Sequence, residues 1–308
     1  MCSALFFMPP TASRFRERLR SGRRMILDAA MGTELQRRGA DTRLPLWSAR
    51  ALVESPELVS AIHADEVAAG AEILTANTFR THRRTLEKGR LGEKSRELTT
   101  LAVRLAREAA DAAGRPVFVA GSLSPLEDCY RPDLAPDDEA LRIEHREQAE
   151  SLASAGVDAL LLETHNTVRE LAAAARAAME TGLPFVASMV TDGKGRLLSG
   201  EPIEDAVRAV RSLGPDAFSI NCVPARRLAF DLSRLAGAAS DVPLAAYGNL
   251  GLPADDRGWE FTDELSPEGY AAEAREWLAI GARLVGGCCG TTPAHTAALH
   301  YAINIASP

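Results

Sequence analysis

The chain has 308 residues, of which 46% are hydrophobic and 25% are charged, and its formal net charge is −7. This composition is typical of a globular protein, and the length suits a single α/β barrel. The acidic balance gives the chain no electrostatic signature of a nucleic-acid-binding protein. No run of about 18 apolar residues occurs, so no membrane span is predicted. Five cysteines, an odd number, indicate metal binding or reactivity in a reducing compartment, and we expect the chain to be cytoplasmic.

Residues 1–24 are predicted to form an N-terminal extension that precedes a single barrel domain at 25–308. Its segment 13–20 is rich in arginine, and Phe15 and Leu19 are four residues apart, on one face of a helix. The positive charges follow a short apolar run instead of preceding it, which argues against a signal peptide. The pattern predicts a basic amphipathic helix packed outside the fold.

From residue 25 onward, short apolar segments alternate with longer helical patterns, eight times in all. The apolar segments do not alternate with polar residues, which is typical of parallel strands that are covered on both faces. No glycine-rich phosphate-binding loop follows the first of them, which argues against an open dinucleotide-binding sheet. The sequence therefore predicts a (β/α)8 TIM barrel. The predicted strands are 25–27, 72–76, 117–120, 159–162, 185–190, 217–220, 244–247 and 283–285.

Helical patterns and loops fill the connections. We predict helices at 56–69, from 137 to Gly156 and at 168–181, and one long helix that ends near Ala113. The segment 124–138 is rich in proline and acidic residues and is predicted to be a loop. The glycine-rich, acidic connection from Gly248 to Ser266 is predicted to be a loop over a site.

In a barrel of this kind the active site forms at the carboxyl ends of the strands. Polar residues follow nearly every predicted strand at that end, so we expect them to meet around one cavity. They are Asp28, Asn77, Ser122, Glu163, Ser188, Asn221, Cys222, Asn249, Cys288 and Cys289.

Three of the five cysteines belong to this set. Cys222 follows the sixth predicted strand, and the adjacent Cys288 and Cys289 follow the eighth, between glycines. Cysteine thiolates are soft ligands that suit Zn²⁺, and three protein ligands leave the fourth tetrahedral position free, as in catalytic zinc sites. The alternative is that the three are small buried residues. An iron–sulfur cluster fits less well, because only three thiols are placed.

Five segments together resemble the homocysteine S-methyltransferase family, which is related to betaine–homocysteine methyltransferase and to the homocysteine module of cobalamin-dependent methionine synthase. The resemblance runs from about Met25 to Leu299, and the last segment is highly specific. The segments are Asp28-Ala29-Ala30-Met31-Gly32-Thr33-Glu34-Leu35, Thr75-Ala76-Asn77-Thr78-Phe79, Glu163-Thr164, Asn221-Cys222-Val223-Pro224 and Gly286-Gly287-Cys288-Cys289-Gly290-Thr291-Thr292-Pro293.

The resemblance implies a zinc-bearing barrel that transfers a methyl group to the thiol of homocysteine, giving methionine. Carried over by motif, the three cysteines are the zinc ligands and act in catalysis through the metal. Asp28 and Glu163 hold the ammonium group of the substrate, and Trp47 lies near the methyl donor. Asp28 has an alternative role as the cap of the helix that follows it.

Four further residues are candidates for substrate contacts. Thr33 is predicted to contact the substrate, and the side chains of Asn77, Ser122 and Asn249 either hydrogen-bond the substrate or order the loops. We interpret His295 as structural, because the thiols already account for the metal, and His165 as a support behind the site. Cys2 and Cys129 have no assigned role.

Two departures from the family pattern concern the methyl donor. Ala29 replaces the usual second glycine after Asp28, and the segment 248–253 is closer to the cobalamin-dependent module than to stand-alone enzymes that use sulfonium donors. A one-barrel chain has no room for folate and cobalamin modules. The predicted donor is therefore a small sulfonium such as S-methylmethionine or S-adenosylmethionine. Assembly into a homo-oligomer is compatible with the sequence.

Three alternatives to this function stay open from the sequence. The first is a homocysteine methyltransferase that uses methylcobalamin or betaine. The second is a zinc-binding or thiol-sensing regulatory barrel without turnover. The third is an aldolase-type lyase, which normally has a lysine at a strand end, and no predicted strand here supplies one.

Overall fold

The computed structural model describes residues 10–254, 258–262 and 265–305 of the chain. Eight parallel strands form one sheet in the order β1-β10-β7-β6-β5-β4-β3-β2, and a parallel bridge between Leu27 and Ile73 joins its two ends. The predicted (β/α)8 barrel is thus confirmed. Its strands are β1 (Met25–Ile26), β2 (Ile73–Ala76), β3 (Phe118–Ser122), β4 (Ala159–His165), β5 (Phe185–Met189), β6 (Ala217–Pro224), β7 (Leu244–Asn249) and β10 (Ala282–Gly287).

Side chains of each strand alternate between the inside of the barrel and the layer of helices around it. Leu161 and Leu284 belong to the interior cluster, whereas their neighbours Leu160 and Val285 pack outward in the larger cluster under the helices. Both faces of the sheet are therefore apolar, which explains why the strands read as continuous apolar runs.

Helices surround the barrel, and none among the described residues is long and apolar enough to cross a membrane. Those that were predicted at 56–69, 137–156 and 168–181 are present with nearly the same bounds. The helices are α1 (Pro10–Arg20), α2 (Met31–Arg37), α3 (Ala51–Glu54), α4 (Pro56–Ala69), α5 (Arg83–Lys88), α6 (Ser95–Asp111), α7 (Asp138–Ala155), α8 (Val168–Thr181), α9 (Ile203–Arg211), α10 (Ala225–Ala238), α11 (Pro267–Ile280) and α12 (Pro293–Ile305). Short 3₁₀ turns occupy Trp47–Arg50, Gly92–Lys94 and Pro132–Leu134.

The single long helix predicted to end near Ala113 is wrong, because the chain breaks it between α5 and α6. Gly89 ends α5, and Arg90 adopts a left-handed φ of 60° before the 3₁₀ turn at Gly92–Lys94. Glycine is a poor helix former, and two of them this close together outweigh the favourable residues around them.

Helix α1 is more closely bound to the barrel than the sequence indicated. The side chains of Phe15 and Leu19 are fully buried in the interior cluster, and Phe15 packs edge-on against Phe118 with ring centroids 5.3 Å apart. Arg16 adds an ion pair with Asp216 at 2.6 Å. The expectation that this helix packs outside the fold is wrong, because its apolar face closes the amino-terminal end of the barrel. The opposite, carboxyl-terminal end stays available for a site.

The connection between β7 and α11 reaches over that open end, as predicted. It also contains an antiparallel hairpin that the sequence did not indicate, formed by β8 (Leu252–Ala254) and β9 (Gly258–Glu260). The Trp259 indole donates a hydrogen bond to the carbonyl of Leu250 at 2.8 Å and ties the hairpin to the end of β7.

Candidate active site

A cavity of about 340 Å³ lies at the carboxyl ends of the strands, in the size range of small-molecule sites. Most of the residues that the sequence singled out line it. The structure therefore brings together side chains that come from separate strands and loops along the chain. Those predicted residues are Asp28, Trp47, Asn77, Ser122, Glu163, Cys222, Cys288 and Cys289.

The three cysteine sulfurs lie at one point of the cavity wall. The Cys222 sulfur is 2.9 Å from that of Cys288 and 3.9 Å from that of Cys289, and all three sulfurs lie within 4.8 Å of one another. Sulfurs bound to one tetrahedral zinc at about 2.3 Å would be roughly 3.8 Å apart. This group could therefore hold a metal ion with small adjustments of its side chains.

Hydrogen bonds within the cluster favour one thiolate. Hydrogen bonds with Cys288 and then with Cys289 hold the pKa of Cys222 well below its usual range, and the Tyr130 hydroxyl, 3.2 Å from the Cys222 sulfur, adds to this. The same coupling raises the pKa values of Cys288 and Cys289. The cluster thus carries negative charge that a cation can neutralise.

Cys222 sits in a strained stretch of β6 that aims its side chain at the other two cysteines. Its φ is 55°, a left-handed value that costs roughly 1–3 kcal/mol in a residue with a side chain. The preceding Asn221 is fully buried and braces this stretch against β4. Its Oδ1 accepts hydrogen bonds from the Thr164 amide at 2.9 Å and the Ser188 hydroxyl at 2.7 Å, and its Nδ2 donates to the Thr164 hydroxyl.

The loop that carries Cys288 and Cys289 is held from several sides. The Cys288 amide donates to the carbonyl of Gly248 at 2.8 Å. Gly290 has a φ of 85°, and a Cβ there would lie 1.8 Å from the Leu250 carbonyl oxygen, so the turn requires glycine. The Gly290 amide donates to the Thr33 hydroxyl at 3.0 Å, and its carbonyl accepts from Arg37 at 2.9 Å. Helix α2 therefore fixes this loop.

Two of the predicted substrate contacts lie outside the cavity lining. Thr33 is fully buried behind the cysteine loop, where its hydroxyl accepts the Gly290 amide. Asn249 is also buried, and its Nδ2 donates to the carbonyl of Cys222 at 3.1 Å. Both side chains thus order the residues that carry the thiols, which was the other role considered for Asn249.

Asp28 lines the cavity and is anchored by β2. Its carboxylate accepts the Thr75 amide at 2.7 Å and the Thr75 hydroxyl at 2.8 Å. Helix α2 begins after Ala30 without any side-chain cap, so Asp28 does not have the alternative capping role. Burial, followed by the charge of Glu66, raises the pKa of Asp28 well above its ordinary value despite the Thr75 hydrogen bonds.

Glu163, at the end of β4, is the second carboxyl of the cavity. Its Oε1 accepts the Ser122 hydroxyl at 2.5 Å. Burial raises the pKa of Glu163 to about 7, because it outweighs that hydrogen bond and because the Cys222 charge lies nearby. A cation bound between Asp28 and Glu163 would favour the ionised form of both groups.

Trp47 forms an aromatic wall of the cavity and is firmly held. It opens the 3₁₀ turn Trp47–Arg50 with a φ of 48°. Its indole lies against two glycines, since a Cβ on Gly32 would be 2.3 Å from the indole nitrogen and one on Gly258 would be 1.8 Å from the ring. Asn77 fixes the same turn by donating to the Ser48 carbonyl at 2.9 Å.

The two histidines named from the sequence lie away from the thiols. The His295 ring accepts the Thr292 amide at 3.2 Å at the start of α12, which agrees with a structural role. His165 is fully buried, and its Nε2 lies 3.1 Å from the Leu123 carbonyl, so it supports the loop after β3. Cys129 is buried in the cavity wall but is not part of the sulfur cluster, and Cys2 lies outside the described residues.

The sequence did not point to Tyr130 and Arg80 in the cavity wall, nor to Glu66 behind it. Tyr130 and Arg80 lie in irregular segments, where no periodicity indicates which side chain points inward. Glu66 lies on the buried face of α4, together with Val59, Ile62 and His63. The one feature of the sequence that could have indicated Glu66 is an acidic residue at a core-facing position of that helix.

Fold and site together define a barrel protein with a cluster of three thiols in a cavity at the carboxyl ends of its strands. The chain belongs to the homocysteine S-methyltransferase family, whose model matches residues 25–303. A homocysteine S-methyltransferase of Escherichia coli is 35% identical over 89% of this chain and 94% of its own length. Another, from Bacillus subtilis, is 32% identical over 87% of this chain and 91% of its own length.

Comparison with solved structures agrees with this family. The crystal structure of the homocysteine methyltransferase MmuM from Escherichia coli, in its metallated form, matches with a TM-score of 0.79 and 33% identity. The match covers 93% of this chain and 98% of that one. This chain therefore shares its barrel fold, over nearly its whole length, with an enzyme whose metallated form has been crystallised.

Glu66, behind the site, has a buried carboxyl group whose raised pKa can be tested. Its carboxylate is buried, and it accepts the Thr296 hydroxyl at 2.7 Å and the Ala29 amide. Burial raises the pKa of Glu66 from 4.5 to about 7. The folded chain thus holds this proton more tightly than the unfolded chain does, and stability falls as pH rises from 4.5 toward 7, then levels off.

We predict that Glu66→Gln becomes progressively more stable relative to the natural chain between pH 5 and pH 8. The variant lacks the ionisation that costs the folded state up to roughly 3 kcal/mol above pH 7. Thermal unfolding of both proteins at the two pH values measures this difference. Glu57→Gln, at an exposed position of the same helix, is the matched control. An equal difference in Tm between Glu66→Gln and the natural chain at both pH values would contradict the prediction.

Proposed function

We propose that this chain is a zinc-dependent homocysteine S-methyltransferase that takes the methyl group of a small sulfonium donor. The observation that carries the proposal is the convergence of three cysteine sulfurs in a cavity that also presents two buried carboxyl groups. The family membership supports homocysteine as the acceptor. Its product is methionine.

The donor set fits zinc. Three soft sulfur ligands within 4.8 Å of one another suit a tetrahedral ion and leave one ligand position for the substrate. Cys222, Cys288 and Cys289 would hold the metal. When bound, zinc would lower the pKa of the homocysteine thiol from its ordinary ~8.5, so that the reacting sulfur is deprotonated at neutral pH.

The two carboxyl groups would hold the homocysteine ammonium. Asp28 is oriented by Thr75 and Glu163 by Ser122, so each presents its charge in a fixed direction. Their raised pKa values mean that burial disfavours the ionised form of each carboxyl group. Charge-assisted hydrogen bonds from an ammonium would relieve this cost and orient the amino acid.

In the transfer step the homocysteine sulfur forms a bond to the methyl carbon of the donor. The bond from that carbon to the sulfonium sulfur breaks, and its electron pair stays on the donor sulfur, which becomes a neutral thioether. The thiol proton leaves to solvent. The cavity contributes by bringing both sulfur atoms into line and by excluding water.

A sulfonium donor also suits the aromatic wall. The held indole of Trp47 can lie against a positively charged sulfur through a cation–π contact worth roughly 0.5–2 kcal/mol. S-methylmethionine and S-adenosylmethionine are the proposed donors. Among the residues that line the cavity there is no lysine, so nothing here favours the lyase alternative.

Replacing Cys288 with Ala is expected to abolish zinc retention and turnover together, because only two sulfurs remain to hold the ion. The measurement is zinc content after dialysis, paired with methionine formation. Cys129→Ala is the matched control for metal content, since Cys129 lies in the same cavity wall outside the cluster. Full zinc content in the Cys288 variant would contradict the ligand assignment.

Glu163→Gln keeps the shape of the side chain and a partner for Ser122 but removes the charge. We expect the KM for homocysteine to rise about 10- to 100-fold, as for the loss of a charge-assisted hydrogen bond, with zinc content unchanged. Steady-state kinetics over a range of homocysteine concentrations provide the measurement. Metal loss in this variant would show that Glu163 serves the metal site instead.

The donor is tested by supplying the zinc-loaded protein with homocysteine and one donor at a time. Methionine should form with S-methylmethionine or S-adenosylmethionine and not with betaine, methylfolate or methylcobalamin. Product from betaine or methylcobalamin alone would overturn the proposed donor while keeping the acceptor. Zinc binding without product from any donor would favour the regulatory alternative.

A further inference from the structure

Arg80 is a buried cation in the cavity wall. It lies in the turn between β2 and α5, and only 8% of it is exposed. It is one of the residues that line the cavity, next to Phe79, over whose ring its guanidinium lies at 5.4 Å from the centroid. A buried arginine normally has a carboxylate partner, because an uncompensated buried charge is costly.

Among the described residues this arginine has no such partner. No carboxylate lies within the 4.0 Å of an ion pair, Nε makes no hydrogen bond, and Nη1 makes one long bond of 3.3 Å to the carbonyl of Glu127. Other arginines nearby are fully paired: Arg84 binds Glu144, and Arg131 binds Asp133 through two hydrogen bonds. The charge of Arg80 is therefore available to an anion that enters the cavity.

The anion that fits a guanidinium in a cavity for amino acids is a carboxylate, which accepts two parallel hydrogen bonds from it. Both substrates of the proposed reaction carry one. The acceptor's carboxylate shares a carbon atom with its ammonium, which Asp28 and Glu163 would hold. Arg80 lies toward the loop after β3, since its Nη1 bonds the Glu127 carbonyl of that loop and its charge acts on the thiol of Cys129.

We propose that Arg80 binds the α-carboxylate of the methyl donor and so selects sulfonium donors that are amino acids. The inference rests on the proposed function and deepens it. Asp28 and Glu163 would then hold the cationic end of the acceptor, while Arg80 would hold the anionic end of the donor. With the acceptor held at its ammonium group and the donor held at its carboxylate, the two sulfur atoms would meet between these contacts.

The test is equilibrium binding to the zinc-loaded protein by calorimetry. The ligands are S-methylmethionine, its carboxylate-free analogue (3-aminopropyl)dimethylsulfonium, and homocysteine. In Arg80→Gln we expect S-methylmethionine to bind about 10- to 100-fold more weakly, as for the loss of a charge-assisted pair. The analogue should bind weakly to the natural chain and be unaffected by the substitution, and the Kd of homocysteine should change less than about twofold.

Two further variants keep the result interpretable. Arg80→Lys retains the charge without the planar fork and should recover part of the lost affinity. Arg142→Gln removes an exposed arginine outside the cavity lining whose charge Glu139 already neutralises, and it should bind S-methylmethionine like the natural chain. Equal weakening of S-methylmethionine and its analogue in both Arg80 variants would indicate a structural role and overturn the proposal.

The remaining outcomes separate this inference from the proposed function. Weaker homocysteine binding with unchanged S-methylmethionine binding would assign Arg80 to the acceptor and overturn the inference alone. If the natural chain binds neither S-methylmethionine nor, in the same assay, S-adenosylmethionine, both the inference and the proposed donor fail. If binding depends on Arg80 as expected but no methionine forms, the inference stands and the proposed function fails.

Discussion

The site depends on the convergence of three sulfur atoms. Cys222 is separated by 66 residues from Cys288, which is adjacent to Cys289. They meet because β7 lies between β6 and β10 in a closed sheet, so the two strands end beside the same cavity. Two local features complete the geometry: the left-handed backbone at Cys222, braced by Asn221, and the turn at Gly290, held by α2. Much of the buried polar structure around the cavity serves these two features.

Electrostatics gives the cavity its preference for cations. Three thiols line the cavity, the carboxyl groups of Asp28, Glu163 and Glu66 are buried in its wall or behind it, and burial raises the pKa of each of these carboxyl groups. Metal, ammonium and sulfonium each carry the charge that relieves this cost. Arg80 is the exception, because its buried guanidinium has no carboxylate partner among the described residues.

The sequence predicted the barrel and the thiol cluster because both follow from local patterns: apolar runs mark the strands, and polar residues follow them. It was wrong about the long helix and about the packing of α1, since neither the left-handed turn at Arg90 nor the burial of Phe15 is visible in helical periodicity. Thr33 was placed against the substrate, whereas the structure puts its side chain behind the thiols; Asn249 also lies there, in the loop-ordering role that was its alternative. Cytoplasmic location and self-association stay predictions.

The central claim is that the three thiols hold zinc with one ligand position left for the acceptor sulfur. X-ray absorption at the zinc edge, recorded on the zinc-loaded protein with and without homocysteine, tests it most directly. We predict three sulfur ligands and one lighter atom without homocysteine, and four sulfur ligands with it. A coordination shell that does not change when homocysteine binds would contradict the account.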